Sequence, residues 1–522
     1  MGILESINSF FANIVPIGDI LWIFPQNYEW YSKIPVIGSL PFAIILLVGM
    51  GIYFTFRTRG VQFRFFKRGW KVLFKKGYGD TGVSPFAAFM LSMGMRVGPG
   101  NIIGVTGAIS LGGPGALLWM WCSALFGMAS SFVESTLAQI FKERDGSEYV
   151  GGLPYYGQKL CNNKQYVGVM LTIAYIIFAV LSIPIQTFHV FTATGGAISA
   201  VTGVTAERTS TLYYILAVLI IVGTAFAVFG GIRRVTKVTD KMVPTMAVIY
   251  VVIVLFLMII NIKHFPAFIS DVVVGAFKPD AMFGGAFGVA LSQGIRRGLL
   301  SNEAGQGTIT MSAAVSEQNH PCDQGFLQAI GVFVDTIVIC TISGFVVCSA
   351  HIWTNPEVNW ETLSQSKIDV FMESIKTLIP GTSFDNIIVF IICVCYALFA
   401  FTSLLGLVSF ASIAGTKISK GNVCKNIVRV LGALIFVPFG TLCVLAGLEL
   451  DNIWYVTDLI NIALVFCNAP IILFGGKYAI RALKDYTKNN GRRFVAKDIG
   501  LELDTDIWTE EERQKQEIGI QK

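Results

Sequence analysis

Long apolar runs separated by short polar segments fill the chain. They lie near 38–57, 84–111, 114–141, 167–196, 211–231, 238–261, 281–316, 323–350, 386–412, 425–447 and 453–476. Each approaches or exceeds the roughly 20 residues an α-helix needs to cross ~30 Å of hydrocarbon. The pattern predicts an all-α polytopic membrane protein of eleven transmembrane helices. What remains is short loops, one longer loop at 351–385 and a polar tail. The expected organisation is an extracytoplasmic interfacial segment 1–37, an extra helix with a basic segment 38–83, five helices over 84–261, five over 281–476 and a cytoplasmic tail 477–522.

Two of the runs are interrupted. "RVGPGN" (96–101) breaks the second and "RRGLLSNEAGQG" (296–307) breaks the seventh. Backbone that leaves the helix within a bilayer survives only where protein or a watery cavity satisfies its N–H and C=O groups. Each interrupted run opens a series of five spans. Five is odd, so the second series is expected to cross the membrane in the opposite sense to the first. Glycine-interrupted segments in matching positions of inverted halves point to the midplane binding site of a secondary transporter. An opened N–H end attracts a carboxylate, and an opened C=O end offers the hard oxygens that small cations prefer. The pair therefore suits a zwitterion and a cation together. Close helix packing is the plainer explanation of such glycines. A nucleotide loop is excluded by the spacing of "GPGNIIG" and by the absence of a βαβ pattern.

Composition sharpens this picture. The chain is 54% hydrophobic and 14% charged, with a mean hydropathy of +0.65. If segment 58–81 faces the cytosol, 30 of the 39 lysines and arginines lie on that side, as the positive-inside rule expects. The rule puts the N-terminus outside and the tail in the cytosol, and makes nucleic acid a poor partner for the basic segments. The N-terminus lacks a signal-peptide pattern; its "ILWIFPQNYEWY" (20–31) reads as an interfacial piece. Segments 57–76 and 477–494 read as basic faces lying on cytosolic headgroups. The ten cysteines have no metal spacing and no disulfide pattern. No Ser/His/Asp set or metal motif argues for an enzyme.

Ionisable groups at membrane depth need a partner or a task. The candidates are Arg96, Glu134, Arg296, Arg297, Glu303 and Asp335, with His189 nearby. Three arginines against three carboxylates suggest ion pairs across the broken-helix ends, with gating or proton relay as the functional alternative. If the charge of Glu303 anchors the second break, Glu303→Gln should abolish transport.

Several stretches, "VGPGNIIGVTGAISLGGPGALLWMW" (97–121), "GIRRGLLSNEAGQG" (294–307), "FAFTSLLG" (399–406), "FVESTLA" (132–138), "GGLPYYG" (151–157) and "VFVDT" (332–336), resemble the alanine or glycine:cation symporter family over about residues 35–485. The resemblance implies a leucine-transporter-type fold, an inverted five-plus-five repeat preceded by one extra helix, in the plasma (inner) membrane. It implies import of a small neutral amino acid coupled to sodium, with a proton as the alternative ion and no organic cofactor. Position by position, it places Gly98, Gly100 and Asn101 in one half of the substrate site and Ser301, Asn302, Ala304 and Gly305 in the other, faced by Gln186. Sodium would lie between carbonyls near Val97, the Phe399 carbonyl and the hydroxyls of Thr402 and Ser403, neutral ligands that favour sodium over a proton. Three departures bear on cargo: Pro99 stands for a hydroxyl residue, Leu407 for a tryptophan and Phe188 for an asparagine. They widen the pocket at one place and narrow it at another, leaving a larger cargo such as glutamine open. An amino-acid-gated channel or receptor on the same scaffold would need a filter repeat or charged pore ring, and neither is visible.

Overall fold

The computed structural model describes residues 23–514, apart from 35–36, 76–81, 205–209, 278–286, 357, 364–365, 380–382, 447–450, 503–506 and 512, together with a few isolated positions before 23. Most of the expected interfacial segment 1–37, the first six residues of the run 281–316 and the end of the tail therefore lie outside the described residues.

The chain is helical nearly throughout. α1 is Phe42–Arg57. The first interrupted run gives α2 (Pro85–Arg96) and α3 (Ile103–Gly112), followed by α4 (Ala116–Ile140). A small hairpin of β1 (Glu143–Asp145) and β2 (Glu148–Val150) and the short helix Leu153–Leu160 precede α5 (Gln165–Thr202), α6 (Thr211–Phe229) and α7 (Ile232–Ile260). The second interrupted run gives α8 (Phe287–Asn302) and α9 (Thr310–Val315). α10 (Pro321–Val332) continues through a π-helical stretch, Phe333–Cys340, into α11 (Thr341–Ala350). α12 (Lys367–Leu378), α13 (Ser383–Gly415), α14 (Asn422–Val430) with its π-helical continuation to α15 (Val437–Leu445), and α16 (Asp451–Lys488) complete the body. Among the described residues, eight helical stretches are long and apolar enough to cross a membrane. α1 is shorter, and the halves of the two interrupted runs are individually too short.

Helix faces explain the packing. α6 and α7 leave Leu219, Val222, Phe226, Val248, Val252 and Ile259 exposed, which is favourable only against lipid. α5 and α13 pack along much of their lengths, and α4 packs against α8 and α10. α3 lies on α8 and α2 on α9, so the two interrupted spans run in opposite directions. Backbone pairing of Val83 with Val315 and Glu317 ties the start of α2 to the end of α9, and Ser312 Oγ donates to the Ala88 carbonyl at 2.6 Å.

Two expectations change. The loop 351–385 contains α12, which buries Val370, Phe371 and Ile375. The segment 477–494 is not a helix lying free on headgroups. As the end of α16 it is helical to Lys488 with Ala479, Ala482 and Leu483 buried against the protein, and the chain then folds back, burying Phe494, Ile507 and Trp508. Trp508 Nε1 donates to the Gln139 carbonyl at 2.8 Å. Lys142, whose pKa burial pushes well down, donates to the Ser316 carbonyl at 2.9 Å beneath the rings of Tyr149 and Trp508. The basic segment after α1 likewise buries Val61, Val72 and Leu73, and Lys75 reaches Asp323 at 2.8 Å. Phe63, Trp70 and Phe74 of the same segment stay exposed on the other face.

Candidate functional site

The first break begins where α2 runs out of donors. In a continuing helix the Gly94 carbonyl would accept from the Gly98 N–H. That N–H instead donates to Asn101 Oδ1 at 2.9 Å, and Pro99 has none to give. The turn Pro99–Asn101 is closed by its own residues, Asn101 N–H donating to the Gly98 carbonyl at 3.1 Å. The released Gly94 carbonyl faces α13. Ser403 Oγ lies 3.0 Å from it and 3.0 Å from the Phe399 carbonyl, and Thr402 Oγ1 lies 3.4 and 3.1 Å from the same two oxygens. Phe399, Thr402 and Ser403 are thus brought together against the first break. The carbonyl that meets these hydroxyls is Gly94's, three residues before Val97. Gly98 is required by close approach, since a Cβ there would stand 2.9 Å from Ser403 Oγ. At Gly100 a Cβ would meet nothing within 4 Å.

The second break is built differently. Glu303 (φ +54°), Gly305 (φ +79°) and Gly307 (φ +83°) adopt left-handed backbone. The amides of Gly305 and Gly307 and the carbonyl of Gly305 are completed by other helices. Glu134 on α4 accepts from Gly305 N–H at 3.0 Å through Oε1 and from Gly307 N–H at 3.1 Å through Oε2. Asn468 on α16 donates to the Gly305 carbonyl at 2.8 Å. Tyr175 on α5 donates to the Thr308 carbonyl at 3.2 Å, and Arg96 Nε donates to the Asn302 carbonyl at 2.9 Å. Asn302 Oδ1 accepts from Ala304 N–H at 3.0 Å. Glu303 does not anchor this break from outside: its carboxylate receives the hydroxyl of Thr308 within the same loop. Glu134, five turns into α4, takes that place.

Asp335, in the π-helical stretch, joins the two breaks. Its Oδ1 accepts from Asn101 Nδ2 at 2.6 Å, and its Oδ2 accepts from Ser301 Oγ at 2.9 Å and Thr336 Oγ1 at 2.8 Å. Asn302 Nδ2 donates to Thr336 Oγ1 at 3.1 Å. Asn101, Ser301 and Asn302 therefore meet around one carboxylate.

The expected ion pairs do not form at this centre. Among the described residues Arg96, Glu134 and Asp335 make no direct ion pair with one another. Arg96 is held by the Asn302 carbonyl, the Gln328 side chain (2.7 Å) and carbonyl (3.2 Å), and Ser131 Oγ (3.0 Å). Neutral donors and acceptors satisfy buried charges here without bringing opposite charges into contact. Arg296 and Arg297 lie half-buried on α8, and Arg296 lines a small pocket with Gln306 and Asn461. Gln186 on α5 is half-buried, and its Oε1 is a buried acceptor without a hydrogen-bond partner. Leu407 is 2% exposed within the apolar core. His189, one turn after Gln186, bonds Tyr396 Oη at 2.9 Å, and Tyr396 is one turn before Phe399.

Sequence reasoning missed Asn468, Gln328, Ser131, Tyr156 and Tyr175, because a lone polar residue in an apolar run has no motif. A signal did exist for Asn468. An amide in the middle of "VFCNAPII" must find partners when buried.

The sequence profile described as the sodium:alanine symporter family matches residues 28–497. A Bacillus subtilis (strain 168) protein named amino-acid carrier protein AlsT is 33% identical over 97% of this chain and 99% of its own. Another from the same strain, named probable sodium/glutamine symporter GlnT, is 37% identical over 85% of this chain and 87% of its own. Among solved structures, that of MhsT in complex with L-phenylalanine superposes with a TM-score of 0.53 at 14% identity, over 85% of this chain and 98% of that one.

Proposed function

The chain belongs to the sodium:alanine symporter family, a family of membrane transporters rather than enzymes, and from that premise we propose that it imports a small neutral amino acid of the alanine or glycine class, driven by sodium. The observation that carries the proposal is the oxygen cluster against the first break. Two hydroxyls (Thr402, Ser403) and two carbonyls (Gly94, Phe399) converge within 3.0–3.4 Å. Neutral hard oxygens suit a small cation, and they do not titrate near neutral pH. The amino acid is assigned to the open side of Gly100 and to the unpartnered acceptor of Gln186. The Gln186 oxygen is suited to accept from the ammonium group, and the N-terminal end of α3 to face the carboxylate.

In the second break the amides of Gly305 and Gly307 are already occupied by Glu134, so the carboxylate is assigned to the first break alone. Cation and amino acid then act on one movable stretch. Coupling requires this, since a ligand shifts an equilibrium only by its differential affinity for the two states. The basic segments are assigned to the cytosolic side, with the N-terminus outside. A larger neutral cargo such as glutamine is the second reading, favoured by the replacement of a bulky aromatic by Leu407 and by the name of the GlnT relative.

Radiolabelled uptake into proteoliposomes with an imposed sodium gradient, scanned across neutral amino acids, is the test. Sodium-driven accumulation led by alanine or glycine is expected. Accumulation led by glutamine selects the second reading. Uptake that ignores sodium and follows a pH gradient overturns the ion, and current without substrate overturns the carrier.

A further inference from the structure

We propose that Asn468 is a positioning residue for the amino-acid site: its side chain sets the second break in the geometry that presents Ser301 and Asn302 to Asn101 and Asp335. The proposal rests on the transporter reading for its functional meaning, but the geometry stands by itself. Asn468 is fully buried on α16. Its amide nitrogen donates to the Gly305 carbonyl at 2.8 Å and to Glu134 Oε2 at 3.2 Å, while its Oδ1 accepts from Tyr156 Oη on the short helix Leu153–Leu160. Both amide hydrogens and the carbonyl oxygen are used.

Gly305 is consequently gripped from two sides, its N–H by Glu134 and its carbonyl by Asn468, and both grips are tied to each other through the Asn468–Glu134 bond. Gly307 approaches the same amide so closely that a Cβ there would stand 3.0 Å from Asn468 Cγ. The short helix is itself fixed to the start of α9, where Leu153 N–H donates to Thr310 Oγ1 at 2.9 Å. One amide thus links α4, α16, the short helix and the break. Ser301 and Asn302 lie within four residues of the gripped peptide, so its displacement is passed to the groups that surround Asp335.

A structural role and a positioning role predict different kinetics. Loss of fold lowers the maximal rate in proportion to the folded protein and leaves KM alone. Loss of position raises KM. In proteoliposomes, Asn468→Ala is expected to raise the KM of the preferred neutral amino acid at least tenfold, and Asn468→Asp more, because it keeps the acceptor, loses both donors and sets a carboxylate beside Glu134. Tyr156→Phe removes only the outer bond and is expected to raise KM about threefold. Hydrogen exchange of peptides covering 301–309 is expected to accelerate in the same order, with exchange elsewhere unchanged.

Wild-type KM in Asn468→Ala, or unaltered exchange over 301–309, overturns the proposal. If Asn468→Ala does not fold, Tyr156→Phe decides: a raised KM supports the role, and wild-type KM with wild-type exchange overturns it. If the unaltered protein takes up no neutral amino acid, the transporter reading fails separately, and the exchange measurement alone still decides whether Asn468 fixes the break.

Discussion

The two breaks look alike in sequence, each a few glycines inside an apolar run, yet they are finished in opposite ways. The first is closed mostly by itself: Asn101 caps Gly98, and among the described residues the freed Gly94 carbonyl is met by the hydroxyls of Thr402 and Ser403. The second is held from four other helices, by Glu134, Asn468, Tyr175 and Arg96. Opened backbone in a membrane needs partners in either case. Where the protein supplies them all, the segment is a fixed wall; where it supplies few, a ligand can complete the set.

The sharpest test of this contrast is Glu134→Gln. A glutamine amide turned toward either N–H group meets donor with donor. Uptake is expected to fall about 100-fold, matching the roughly 1–3 kcal/mol that each unpaired buried N–H forfeits, measured as initial rate per folded carrier. Equal uptake would show that the second break does not depend on its carboxylate.

Gly98→Ala comes next. Its Cβ would press on Ser403 Oγ at 2.9 Å. Sodium-driven uptake is expected to fall more than tenfold, while Gly100→Ala, pointing into open space, keeps the protein folded and raises KM for larger amino acids more than for glycine. The reverse ranking would move the cation cluster away from the first break.

Ser403→Ala removes one hydroxyl of the cluster. The sodium concentration for half-maximal uptake is expected to rise about tenfold, near the ~1.4 kcal/mol of one good ligand contact, with amino-acid KM at saturating sodium little changed. Glu303→Gln is expected to have the smallest effect, within about threefold, because its one mapped bond, to Thr308, is local and survives as a neutral hydrogen bond worth about 1 kcal/mol. Abolished transport in Glu303→Gln would return this residue to the anchoring role that the sequence suggested for it.

How far the sequence reached is visible in these residues. Hydropathy located the long apolar helices, because a helix face turned to lipid must be apolar whatever the opposite face packs against. The glycine-rich interruptions located both breaks, since few other residues accept φ near +80° or approach a neighbouring side chain as closely as Gly98 does. Thr402, Ser403 and Phe399 were legible through family resemblance, and they do converge. That the Gly94 carbonyl faces them was not legible, because which carbonyl is freed depends on where Asn101 diverts an N–H.

Charge bookkeeping misled more seriously. Three arginines and three carboxylates suggested ion pairs, whereas Arg96, Glu134 and Asp335 are each satisfied by neutral groups from distant parts of the chain. The tail misled as well: its basic residues suggested lipid headgroups, and Phe494 and Trp508 turned it onto the protein.

By itself, then, the amino-acid order determined what is local: which stretches prefer lipid to water, and where the helical ladder must open. Tertiary structure decided who closes the ladder again. Asn468 and Glu134 are 334 residues apart, and no periodicity along the chain encodes their meeting at Gly305. A hydrogen bond is satisfied by whatever folding brings within about 3 Å, and only the packed helices fix that.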